Sequence, residues 1–260
     1  MDHRCTLLVM INHGISLAFA RMTTAYEKLD LRNIPSYSIA EAARYLLIPV
    51  GTLRSWLHGR FYPTAEGKRF FQPLIELPNP EIRQLSFTNL VEAHILRVIR
   101  KNHQIRLDKV RTALDYVDRQ FNVPHPLARI EFQTDGVDLF VESVGKLISA
   151  SRDGQLAMRE VLKHLLKRIE LDETGVANKL FPFTRLNENL MEKESPKTLV
   201  IDPRISFGRP VLVGTGIPTA LLAERYKAGE SIDNLADDYG CDRLQVEEAI
   251  RCELSLSQAA

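Results

Sequence analysis

The stretch Tyr37-Ser38-Ile39-Ala40-Glu41-Ala42-Ala43-Arg44-Tyr45-Leu46-Leu47-Ile48-Pro49-Val50-Gly51-Thr52-Leu53-Arg54-Ser55-Trp56-Leu57-His58-Gly59 decides how this chain folds. Ser38 with Glu41 three residues on is a capping box, so a helix starts there. Ile39, Ala42, Ala43 and Leu46 give it one apolar face. Ile48-Pro49 ends it, because proline disfavours helical geometry in the preceding residue. A second helix is expected from Val50 to about His58, stopped by Gly59. Two helices joined so tightly must cross steeply, as in a helix-turn-helix.

Downstream, Phe61 to Leu77 is rich in aromatics, and Ala65-Glu66-Gly67-Lys68 suits the turn of a β-hairpin wing. Thr88 is expected to cap a helix carrying Val91, Ile95, Val98 and Ile99. Another runs from about Leu107 to Phe121, with Val110, Leu114 and Val117 on one face. Beyond Pro124-His125-Pro126, Ile130, Phe132 and Thr134 alternate with polar residues. Val137, Leu139 and Val141 do the same after Asp135-Gly136, which predicts a hairpin, with a third strand at Lys146–Ser149. Met158, Leu162, Leu165, Leu166 and Ile169 mark an amphipathic helix. After Glu194-Ser195-Pro196 come a short strand at Thr198–Ile201, a Gly-rich stretch, and three short helices at 219–228, 231–239 and 242–254.

The expected fold is therefore mainly α with small β elements: a winged helix-turn-helix, a central β-hairpin plus helix, and a C-terminal three-helix domain resembling a helix-turn-helix. The boundaries drawn are an N-terminal extension at 1–35, then units at 36–123, 127–194 and 197–255. The last unit is expected to be removable with little effect on the first. The apolar start, Leu7–Ala20, imitates a secretion signal but is interrupted at Asn12-His13-Gly14. Translation is expected to start at Met22, and residues before it to be disordered or an artefact.

The chain has 260 residues with 34 Lys+Arg against 33 Asp+Glu, which excludes a bulk-basic nucleic-acid binder. The charge is unevenly placed. Residues 36–125 carry 13 cations against 8 acids, a net of +5, whereas residues 197–260 carry 7 against 10, a net of −3. Three scattered cysteines, Cys5, Cys241 and Cys252, read as free thiols of a cytoplasmic protein. No apolar run reaches the roughly 18 residues of a membrane span.

DNA binding needs cations for phosphates and a slim rigid element for the major groove. The second helix offers Thr52, Arg54, Ser55 and Trp56, with Arg60 just past its end. The wing offers Lys68 and Arg69. A basic run at Arg97, Arg100, Lys101, Arg106, Lys109 and Arg111 reads as a solvated surface. The last unit does not suit DNA: Asp233, Asp237, Asp238, Asp242, Glu247, Glu248 and Glu253 would repel phosphates, whereas a protein partner with a basic face would fit.

No catalytic constellation is identified. Gly214-Thr215-Gly216 lacks the Gly-Lys-Ser/Thr of a phosphate loop and reads as a tight turn. Asp202, Asp233, Asp237 and Asp238 have no converging spacing for a metal. His94, on an apolar helical face, reads as a core histidine. Neither an enzyme nor a cofactor is expected.

Residues 37–56 together with Phe87-Thr88 and Ile105–Val110 resemble the start of a MerR-like winged helix-turn-helix. The long dimerising helix of that family is absent, and Ser55-Trp56 replaces its usual aromatic pair. Ile201-Asp202-Pro203-Arg204-Ile205, Gly208-Arg209-Pro210-Val211-Leu212, Gly214-Thr215 and Ile217-Pro218 resemble a small bacterial domain found in VapB-type antitoxins. Gly216 stands where that domain usually has Arg. The combination resembles the long VapB-type antitoxins. The resemblance implies an antitoxin of a type II toxin–antitoxin pair that neutralises a VapC-type, PIN-like ribonuclease toxin encoded beside it. It also implies binding of operator DNA to repress its own operon, here as a homo-oligomer away from any membrane. It assigns no residue to toxin binding. The alternative is a MerR-like transcription regulator without a toxin, sensing a ligand through its middle unit.

Overall fold

The computed structural model describes residues 30–64, 67–103, 107–185 and 197–254. The expectations for residues 1–29, for the wing turn at Ala65-Glu66 and for the break at Glu194-Ser195-Pro196 lie outside these. Residues 30–35, drawn as part of the N-terminal extension, are described. Asp30 caps a 3-10 turn, Leu31–Asn33, and Arg32 bridges it to Asp172.

The first unit follows its sequence closely. Helix α1 (Ile39–Leu46) starts on a complete capping box: Ser38 Oγ accepts from the Glu41 amide, and the Glu41 carboxylate accepts from the Ser38 amide. Leu47, left-handed at φ 52, ends it. Helix α2 (Val50–His58) follows, then an antiparallel wing of β1 (Arg60–Thr64) and β2 (Gly67–Phe71). Helix α3 (Phe87–His103) is capped by Ser86 and not, as expected, by Thr88: Ser86 Oγ accepts from the Asn89 amide at 3.2 Å. Thr88 lies in the first turn and donates its hydroxyl to Asn33 Oδ1 at 2.7 Å. Helix α4 (Leu107–Phe121) closes the unit.

The middle unit corrects the sequence reading. Residues 130–141 are not a hairpin, and Lys146–Ser149 is not a strand. Phe132–Gly136 forms a π-helical turn that runs directly into α5 (Val137–Ile148). One extra residue in that turn lets Phe132 and Val137, five apart, both face the core, at 0% and 1% exposure. Gly136 has an ordinary helical φ of −66. It is needed for closeness: a Cβ there would meet the Phe132 ring at 2.9 Å and the Phe121 ring at 3.1 Å. Helix α6 (Arg152–Leu166) is the expected amphipathic helix, capped by Ser151. The real central hairpin follows it, β3 (Ile169–Leu171) with β4 (Ala177–Leu180).

In the last unit β5 (Leu199–Val200) pairs antiparallel with β6 (Val211–Leu212). A bridge between Leu180 and Ile201 joins this pair to the central hairpin. The connection from β5 to β6 contains a left-handed turn, Ser206, Phe207 and Gly208, at φ 47, 54 and 75. The two residues with a Cβ carry a strain of about 1–2 kcal/mol each. Helices α7 (Thr219–Lys227), α8 (Ile232–Tyr239) and α9 (Arg243–Leu254) complete the chain. Ser231 caps α8, and Gly240 ends it at φ 61.

The units drawn from the sequence are in contact with one another. One apolar cluster runs from Tyr37, Leu46 and Trp56 through Phe132 and Leu162 to Leu235 and Cys252. Helix α9 packs against α7, α8 and α1. Tyr37 Oη donates to the Gly208 carbonyl at 2.8 Å, Arg209 pairs with Glu41, and Arg44 pairs with Glu253 at 2.9 Å. The helix-turn-helix is therefore braced by the end of the chain. Among the described residues no helix is long and apolar enough to cross a membrane.

Candidate nucleic-acid interface

Helix α2 divides into an inner and an outer face by its 3.6-residue period. Leu53, Trp56 and Leu57 point inward at 0%, 1% and 4% exposure. Trp56, offered for DNA with a core or wing-packing role as its alternative, has its indole in the core, three residues after Leu53. Ser55 is also inward, with its hydroxyl donated to the Thr52 carbonyl at 2.8 Å. The outer face carries Arg54, exposed, and Thr52, half-buried, with Gly51 bare at the front of the helix. No heavy atom lies within 4 Å of the position a Cβ would take at Gly51.

The wing is fixed to this helix by its backbone. The amides of Leu74 and Ile75 both donate to the Trp56 carbonyl, at 2.7 and 3.2 Å. Gly59 makes the corner at φ 71, where a Cβ would stand 2.2 Å from the Phe71 carbonyl oxygen. The corner therefore admits only glycine without a shift. Arg60, Lys68 and Arg69 are all exposed on the strands. Sequence reasoning missed their companions. Phe61 and Phe70 are directly opposite in register, with ring centroids 5.0 Å apart, and remain 70% and 41% exposed. The signal was present in Arg60-Phe61-Tyr62 and Lys68-Arg69-Phe70, where cations and aromatics interleave.

In the wing register Lys68 shares a face with Phe61 and Phe70, whereas Arg60 and Arg69 lie on the other face of the hairpin. Nearby, burial followed by the charges of Arg83 and Arg54 lowers the His58 pKa, so this imidazole adds little positive charge at neutral pH. Of the basic run at 97–111 the side chains of Arg97, Lys109 and Arg111 are described. Arg97 is buried, with its guanidinium 5.5 Å from the Phe183 ring centroid. Arg111 braces the wing, donating to the Gln72 carbonyl at 3.3 Å and lying over the Phe71 ring. Lys109 is half-buried. Arg106 and the side chains of Arg100 and Lys101 lie outside the described residues.

The last unit has the opposite character. Arg225 is held by Glu230 and Asp238, and Arg243 by Asp233 and Glu247. Asp202 is buried against Arg204 at 2.7 Å. Among the described residues no three His, Cys, Asp or Glu side chains converge as metal ligands.

Residues 35–114 match the family described as "Putative DNA-binding HTH domain". The first unit is a winged helix-turn-helix. Residues 199–251 match the family described as "Protein of unknown function (DUF433)". The chain is 29% identical to "Putative antitoxin VapB45" of Mycobacterium tuberculosis over 245 residues, covering 86% of this chain and 96% of that protein. It is 26% identical to "Uncharacterized protein Rv2308" of the same organism, covering 82% and 88%. The crystal structure of Rv2018 from Mycobacterium tuberculosis shares its fold, with a TM-score of 0.60 at 24% identity, over 84% of this chain and 98% of that one.

Proposed function

We propose that this chain is a non-enzymatic, cytoplasmic antitoxin of the long VapB type. It binds and neutralises a VapC-type, PIN-like ribonuclease toxin encoded beside it, and represses its own operon by binding operator DNA as a homo-oligomer. The observation that carries the reading is a winged helix-turn-helix in a chain similar, over most of its length, to a protein named an antitoxin. The exposed cations of α2 and the wing, Arg54, Arg60, Lys68 and Arg69, suit DNA.

On DNA, α2 enters the major groove, with Arg54 at base edges or phosphates and Thr52 beside it. Lys68, Arg69 and Arg60 neutralise flanking phosphates. Trp56 and Ser55 hold the helix at the right angle from within. Against the toxin the mechanism is steric: a covered active site cannot admit RNA.

The experiment is fluorescence anisotropy with the DNA upstream of the chain's own reading frame. Arg54→Ala should weaken binding by about 1–3 kcal/mol. Lys68→Ala should weaken it more uniformly across sequences and reduce the salt slope by about 1. Wild-type affinity in both variants would remove α2 and the wing from the interface.

A second reading, a regulator without a toxin, is favoured by a cavity of about 490 Å³ beside α2, lined by Leu57, His58, Ile75, Glu92, Leu114 and His125 among others. A small molecule seated there would press on the end of the DNA-reading helix. Its mark would be DNA affinity that changes with a metabolite and not with the toxin.

A further inference from the structure

The cavity beside α2 has stiff walls. Pro73, Pro80, Pro124 and Pro126 line it, and proline fixes the backbone φ at each of those positions. The strap after the wing is held from behind, where the amides of Leu74 and Ile75 donate to the Trp56 carbonyl. Helix α4 supplies another wall through Arg111, Leu114, Asp115 and Asp118. A volume of about 490 Å³ is that of a small-molecule site, and a cavity that is already open costs its occupant little to form.

The lining decides what fits. Leu57, Leu74, Ile75, Leu77, Leu114 and Leu127 give it apolar surface. Its possible cations are engaged or neutral. Arg111 donates to the Gln72 carbonyl, lies over the Phe71 ring and stands 3.8 Å from Asp115. His125 is held at 3.0 Å by the buried Glu92, whose other oxygen accepts from Asn89. The lowered pKa of His58 leaves its imidazole uncharged at neutral pH. Glu76 and Asp118 are left over. Both are exposed, both line the cavity, and both lie near enough to His125 to share its field. Among the described residues neither has a cation within ion-pair distance. Burial, then the like charges of Asp115 and Glu92, raise the Asp118 pKa. The wall therefore holds more negative charge than it neutralises.

We propose that this cavity binds a small organic cation, an amine with an apolar body, whose ammonium is met by Glu76 and Asp118 while its body rests on Ile75 and Leu114. An anion would add to the repulsion already present, and a neutral molecule would leave both carboxylates unpaired. The assignment gives the small-molecule reading above its ligand class. It rests on that reading for a role in regulation and not for binding.

The test is isothermal titration calorimetry of the full chain with butylamine, phenylpropylamine and tryptamine, each beside the alcohol and the carboxylate of matching shape. At least one amine should bind with a dissociation constant below about 1 mM, at least about tenfold more tightly than its alcohol, and the carboxylate should bind weakest. The double variant Glu76→Gln/Asp118→Asn should lose about tenfold toward the amine and nothing toward the alcohol. Each single substitution should lose part of that, so the result does not hang on the pair folding. Glu173→Gln, at an exposed acid outside the cavity, should change nothing. Failure of all three amines to bind overturns the assignment. So does an alcohol that binds as tightly as its amine, or amine binding that survives both substitutions. Promoter affinity is then measured with the amine present. A shift supports the regulatory role, whereas unchanged affinity with the amine bound keeps the site and removes the regulatory reading alone.

Discussion

Arg44, on the first helix of the helix-turn-helix, holds Glu253, on the last helix of the chain, at 2.9 Å. Glu253 is 7% exposed at its side chain and also accepts from Thr219 Oγ1 at 2.5 Å. A single carboxylate thus joins α1, α7 and α9. The helix-turn-helix and the last unit are thereby held in contact.

This relationship predicts that Glu253→Ala destabilises the whole chain by about 1.5–3 kcal/mol, the scale of hydrogen bonds to a charged group. Glu253→Gln, which keeps the Thr219 contact, should cost less. Removing residues 197–260 should weaken promoter binding by unseating α1, contrary to what three separable units would give. Urea denaturation and DNA anisotropy on the same samples check both. A truncated chain with full DNA affinity would show that the brace is dispensable.

Trp56 makes a second prediction. Its ring is buried in the core at 1% exposure, so Trp56→Ala should cost about 3–5 kcal/mol. Trp56→Phe should be tolerated far better. It should also keep promoter affinity, which a DNA-contacting indole would not allow. Trp56 is the only tryptophan, so its fluorescence should change on unfolding and stay constant on adding DNA.

The pH dependence of stability should carry two histidine signatures of opposite sign. His94 is fully buried on the Phe183 ring. Burial, then the charges of Arg97 and Arg168, depress its pKa well below 6.5. The unfolded chain takes up that proton near pH 6.5 and the folded chain does not, so stability is lost as pH falls below about 6.5. His125 is held by Glu92 Oε1 at 3.0 Å, which raises its pKa. Its contribution is complete below about 6.5 and is lost as pH rises through its raised value. Denaturation midpoints across this range should flatten on the acid side in His94→Leu and on the alkaline side in His125→Gln. Unchanged profiles would contradict the two environments.

Arg97 gives a prediction of unusual sign. It is 5% exposed, and among the described residues its terminal nitrogens Nη1 and Nη2 have no hydrogen-bond partner. Burial draws its pKa down to about 10. A buried cation without a counter-charge costs more than an apolar residue of similar volume. Arg97→Met should therefore raise the melting temperature of the isolated chain. A fall would mean that the contact with the Phe183 ring outweighs the desolvation.

The helix-turn-helix was legible because every level of its sequence agrees. Ser38 and Glu41 cap it, Ile48-Pro49 breaks it, and Gly59 turns it into the wing. Residues 130–141 misled because the alternation Ile130, Phe132, Thr134 and Val137, Leu139, Val141 satisfies a strand, while the buried set is Phe132, Gly136, Val137, Phe140 and Val141. That spacing is helical, with 132, 136 and 140, and 137 and 141, four apart, and no residue type announces the π-helical turn that opens it. Asp135-Gly136 looked like a hairpin turn, yet its glycine is there to let two phenylalanines approach. On α2 and the wing the exposed cations were legible from charge and position, whereas the inward turn of Trp56 depended on the phase of a helix only nine residues long. The bracing of α1 by Glu253 was invisible, since no sequence pattern links residues two hundred positions apart.

The most direct test of the antitoxin account is co-expression of the full chain with the neighbouring small reading frame, purified through a tag on this chain alone. The account predicts a stoichiometric complex without ribonuclease activity, and ribonuclease activity once this chain is removed. A chain that elutes alone, beside a neighbour harmless to cells by itself, would contradict it and leave a DNA-binding regulator whose signal is a small molecule.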